Sequence, residues 1–74
     1  MITKQDFTNI IDYKEQHGKI PMIGNTLKMV AWEKFTQKRE TDDFITSSDS
    51  EDAIYDREME IAEDVINAVA ATIQ

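Results

Sequence analysis

DSEDAIYDREMEIAEDVINAVAATI (residues 49–73) carries Tyr55, Met59, Ala62, Ile66, Val69 and Ile73 at spacings of 4, 3, 4, 3 and 4. That alternation places them on one seam of an α-helix for nearly three heptads. Ile54, Ile61, Val65 and Ala68 widen the seam into a broad stripe. The spacing predicts a long helix over about 49–73. Ser48, followed three residues later by Glu51, has the pattern of a capping box at its start.

The same stretch holds most of the chain's negative charge. Asp52, Asp56, Glu60 and Asp64 are each four residues apart, and Glu63 lies beside them. At about 100° per residue these five fill an arc of roughly 120°, clear of the apolar stripe. Like charges at this spacing repel by about 0.2–0.5 kcal/mol per pair, so three consecutive pairs cost about 1 kcal/mol. Two explanations stand side by side. The row is a recognition surface for a basic partner, or it is a solvated face neutralised by cations elsewhere in the chain. Lys28, Lys34, Lys38 and Arg39, on the preceding predicted helix, are the cations placed to do that. Asp42, Asp43, Asp49 and Glu51 can extend the acidic patch. Glu58 falls within the apolar stripe, between Tyr55 and Ile61. There it can pair with a base from the first half, hold register between copies, or sit at the rim.

Upstream, TDDFITSSDS (residues 41–50) is polar and turn-rich, with Phe44 and Ile45 expected as its anchors to the core. Residues 26–40 predict a second helix, capped by Asn25 or Thr26. Its Leu27, Met29, Val30, Ala31, Trp32 and Phe35 cover most of the circumference. A helix so apolar belongs in the middle of a fold or at an oligomer contact. Residues 18–25, GKIPMIGN, hold both glycines and the only proline and read as an irregular connector. Ile20, Met22 and Ile23 are expected to pin it to the core. Residues 4–17 predict the first helix. Thr3 and Asp6 form a capping box, Ile2 and Phe7 take the staple positions, and Gly18 provides the stop.

The chain has 74 residues and a net charge of −7. Residues 1–39 hold seven bases against four acids; residues 40–74 hold eleven acids and one base, Arg57. Such a balance argues against direct binding to nucleic acid or to anionic membranes, whose phosphates it would repel. With no cysteine there are no disulfides, thiolate metal sites or thiol catalysis. No apolar run approaches the roughly 18 residues of a membrane span. MITKQDF is too polar for a secretory signal, so a cytoplasmic protein is expected. Area scaling for 8.5 kDa gives about 4,600 Å² of folded surface, with about 60% of the chain's area buried. One core of that size supplies only about 3–5 kcal/mol, so self-association would help.

No motif implies a metal, a cofactor or catalysis. The acid-rich DSEDAIYDREME has Ala53 and Ile54 where a calcium loop needs a ligand and a glycine. His17 is alone beside Gly18, where a helix end suits its charge. Gly18 and Gly24 stand apart, so there is no phosphate-binding loop.

These observations predict a single all-α domain of three helices in a compact arrangement, the last one longest. The expected function is non-enzymatic. The acidic face of Asp52, Asp56, Glu60, Glu63 and Asp64 would occupy a basic, nucleic-acid-handling surface of a protein partner, as an inhibitor or regulator. Met29, Trp32, Tyr55, Met59, Ile66, Val69 and Ile73 are the candidate apolar contacts of a homodimer or higher oligomer. The alternative is an assembly subunit whose acids only keep it soluble. In size and composition the chain is similar to many phage and mobile-element accessory proteins; were it viral, its expected place is the host cytoplasm.

Overall fold

The computed structural model describes residues 1–73. It is all-α, with four helices: α1 (Lys4–Gln16), α2 (Asn25–Thr41), α3 (Asp43–Ser47) and α4 (Glu51–Ala71). The last is the longest, and no strand occurs among the described residues. α2 lies in the middle, touching α1, α3 and α4, with α4 its largest neighbour. That is where its nearly all-round apolar surface belongs.

α1 begins as its sequence dictates. The Asp6 amide donates to Thr3 Oγ1 at 3.1 Å, and the Thr3 amide donates to Asp6 Oδ2 at 3.2 Å. Ile2 and Phe7 are both buried. At the far end Gly18 takes φ +68°, and the amides of Gly18 and Lys19 donate to the carbonyls of Glu15 and Lys14. This is the left-handed stop that satisfies the last helical carbonyls. Ile20 and Ile23 pin the connector, and the Ile23 amide donates to Glu15 Oε2 at 2.7 Å. Met22 does not follow them; it is 76% exposed.

Three helix starts or spans differ from expectation. α2 is capped by Gly24, with no side-chain cap from Asn25 or Thr26. α4 starts at Ser50, whose Oγ accepts from the Ala53 amide at 3.3 Å, while Ser48 Oγ accepts from the Ser50 amide. Either serine has the chemistry of a cap, and the tie is decided by α3, which occupies the chain as far as Ser47. α3 itself sits within the segment expected to be irregular. Its cap is Asp42, whose Oδ1 accepts from the Ile45 amide at 3.0 Å.

The core gathers Ile2, Phe7 and Ile11 with Ala31 and Phe35, and with Ile61, Ala62, Val65, Ile66, Val69 and Ala70 from α4. Phe7 lies 5.1 Å from Phe35, ring centre to ring centre, and Trp32 is 5.6 Å from each. Glu58 is fully buried among them. Its Oε2 accepts from the Ile2 amide at 2.9 Å and lies 3.5 Å from Arg39 Nη1. Arg39 in turn donates to the Ile2 carbonyl at 2.9 Å and spreads over the Phe35 and Trp32 rings. The chain entering α1 is thus gripped from both sides, by α4 and by α2. Of the readings for Glu58, the rim position is overturned and pairing with a base of the first half is what the structure contains.

Candidate functional site

The acidic row runs along the exposed face of α4, and its last member, Asp64, borders a hollow shared with Lys38 and Thr41 of α2. Asp52, Asp56, Glu60, Glu63 and Asp64 are all exposed. At 1.5 Å per residue, Asp52 and Asp64 stand about 18 Å apart along a rigid rod, with a carboxylate about every 6 Å between them.

The row is partly paired. Arg57, one helical turn away, binds Glu60 at 2.9 Å. Lys14 of α1 approaches Glu63 at 3.9 Å. Asp52, Asp56 and Asp64 have no ion pair among the described residues. The cations of α2 do not supply one. Lys28 is held by Asp12 at 3.1 Å and Glu15 at 3.4 Å, and Arg39 by Glu58. Lys38 borders the same surface hollow as Asp64 without pairing to it. The bond to Asp12, helped by the nearby Glu15 charge, raises Lys28 above its ordinary pKa despite some loss of hydration. Lys28 is therefore held as a cation against α1.

Arg57 links the row to α3. Its Nε and Nη2 both reach Asp42 Oδ2 at 3.0 Å. That guanidinium, with the Ile45 amide, lowers the Asp42 carboxyl below its ordinary pKa. Asp42 and then Glu60 raise Arg57 in return. Beside this bridge opens a groove of about 410 Å³, lined by Phe44 of α3 and by Ala53, Asp56, Arg57 and Glu60 of α4. Sequence reading expected both Phe44 and Ile45 to anchor inward. Adjacent residues of a helix point about 100° apart, and in this short helix, packed on the core by one edge, Ile45 takes the inward direction. Ile45 packs on the core and Phe44 stays 49% exposed. The signal was the helical pattern of residues 43–47, hidden by their turn-like composition.

The apolar contact candidates divide. Ile66 and Val69 are fully engaged in the core of the protomer, and Met59 packs partly against it. Trp32 is half-buried against Phe7 and Phe35. Burial removes Ile66 and Val69 from any contact surface of this fold. The inward face of α4 is turned from the expected seam toward Ile61 and Val65, which leaves Tyr55 48% exposed; the helix stops at Ala71 rather than at the expected 73, and Ile73, beyond its end, is 44% exposed. Met29, at 55%, also stays accessible.

Among the described residues no three His, Asp or Glu side chains converge as a metal site would require, because the acids are spread along a rod. No described helix is long and apolar enough to cross a membrane. Compared with known proteins, the chain matches no family model, no curated protein and no solved structure.

Proposed function

We propose that this protein is a non-enzymatic binding protein whose α4 carboxylates occupy a basic, nucleic-acid-handling surface of a partner protein and block it. The observation that carries the reading is that no α2 cation pairs with the row: Lys28 is engaged with α1 and Arg39 with Glu58, while Lys34 and Lys38 make no ion pair among the described residues. Asp52, Asp56 and Asp64 are left as exposed carboxylates on one straight rod. A rigid line of negative charge resembles one edge of a nucleic-acid backbone, though sparser than the duplex, which carries about one charge per 1.7 Å. Long-range attraction would speed its association and make that association sensitive to salt.

The test is affinity capture from a cell lysate at low and high salt, with the native chain and with Asp52→Lys, Asp56→Lys and Asp64→Lys combined. The expected partner is held at low salt, released at high salt, lost by the triple variant and displaced by DNA or RNA. A partner retained equally by both chains at both salts would overturn the reading.

A second reading, an oligomerising assembly subunit, is favoured by the exposure of Met22, Met29, Tyr55 and Ile73. Under it, the triple charge variant changes nothing, and light scattering finds an oligomer that Met29→Asp dissociates.

A further inference from the structure

We infer that the groove between α3 and α4 is an anchor site, taking one large apolar side chain that a partner protein carries between lysines or arginines. This rests on the proposed function and adds the chemistry of the segment recognised. The groove's apolar walls are the half-exposed Phe44 ring and the Ala53 methyl group. Its acidic wall is Asp56 and Glu60, in the middle of the row. Asp52 stands one turn before Asp56, and Asp43 precedes Phe44 in the chain. The one cation at the groove, Arg57, is held by Asp42 and Glu60 and so faces its own carboxylates rather than a visitor.

That combination selects its occupant. A purely apolar segment would leave Asp56 unanswered, and a purely polybasic one would leave the Phe44 ring in water. At about 410 Å³ the groove is at the lower end of the range of ligand clefts, enough for a single side chain. Interfaces commonly concentrate their energy in such an aromatic-lined pocket ringed by weaker polar contacts. The site is also preformed. The Asp42 cap fixes α3, and the Arg57 bridge holds α3 against α4, so little ordering is left to binding.

The experiment is selection of a displayed library of random linear peptides on the intact protein at low salt. The selected peptides are then titrated against the native chain, Phe44→Ala and Ala53→Gln. Gln at position 53 fills the groove from α4 and is a good helix former, so the helix tolerates it. It therefore separates loss of the groove from loss of the fold. The expected result is a consensus with one aromatic or large aliphatic residue flanked by lysine or arginine, and affinity lower by about tenfold or more in both variants. Basic peptides without an apolar residue, bound equally by all three chains, would overturn the anchor site and leave the acidic-row reading intact. Peptides enriched without basic residues would overturn both. No enrichment at all would overturn the anchor site alone, with the lysate capture deciding the function.

Discussion

Glu58 is the residue where pattern and structure pull apart most. Its place on the helical wheel was legible, inside the apolar stripe. Its depth was not, because that depends on Arg39 and on the Ile2 backbone, which are distant in sequence and adjacent in space. Removing one member of a buried pair strands the other's charge, at a cost of about 3–5 kcal/mol. Arg39→Leu is therefore expected to lower stability by about that much. Because Glu58 Oε1 has no hydrogen-bond partner in the protein, the carboxylate is already poorly satisfied. Arg39→Leu with Glu58→Leu is accordingly expected to cost less than the sum of the single changes. Urea midpoints of the four chains check this, and additive losses would show that the two side chains act independently.

At the scale of elements, the long patterns were legible and the short ones were not. α1 announces itself by period and caps, α4 by its period, and α2 by its all-round apolarity, which its central place explains. α3 is five residues of polar, turn-forming composition. It is a helix because tertiary contacts hold it: the Asp42 cap, the Arg57 bridge and Ile45 in the core. That dependence gives it a characteristic response to acid. The folded protein binds a proton at Asp42 more weakly than the unfolded chain does, whose reference pKa is 3.8. The bridge's contribution is thus complete above that value and fades as the pH falls through the lower folded-state pKa. Protection of the Ile45 and Thr46 amides against hydrogen exchange is expected to fall on acidification below pH 3.8, relative to amides of α1. In Asp42→Asn, which keeps a capping oxygen and loses the charge, the same amides are expected to exchange faster at neutral pH and to change less with acid. Equal acid responses in the two chains would assign the effect to another carboxylate.

For the whole molecule, the segregation of charge was legible in the residue counts. The pairing was not, since it required knowing that Arg39 turns inward and that Lys28 faces α1. The result is a slender body of 37 × 20 × 18 Å whose surface, 4938 Å², slightly exceeds the roughly 4,600 Å² expected for its mass. With a net charge of −7 and an acidic row on one face, self-repulsion works against this fold. Screening shortens to about 10 Å at 0.1 M salt from about 30 Å at 0.01 M. Salt also weakens the exposed ion pairs, but each of those contributes only about 0–1 kcal/mol, and the buried Arg39–Glu58 contact is screened least. Relief of repulsion is expected to win by about 1 kcal/mol, raising the unfolding midpoint by about 4–8 °C over that range. Calorimetry checks it, and a midpoint that falls with salt would show that attraction dominates. Partner binding is expected to move the opposite way, so moderate salt would yield a sturdier protein that grips less.

Trp32 is the chain's only tryptophan, and its indole sits at the junction of α1 and α2, against Phe7 and Phe35 with the Arg39 guanidinium 5.6 Å from the ring centre. The molecule therefore carries a built-in optical reporter. Its fluorescence watches that one aromatic joint, so unfolding can be followed without any dye or label.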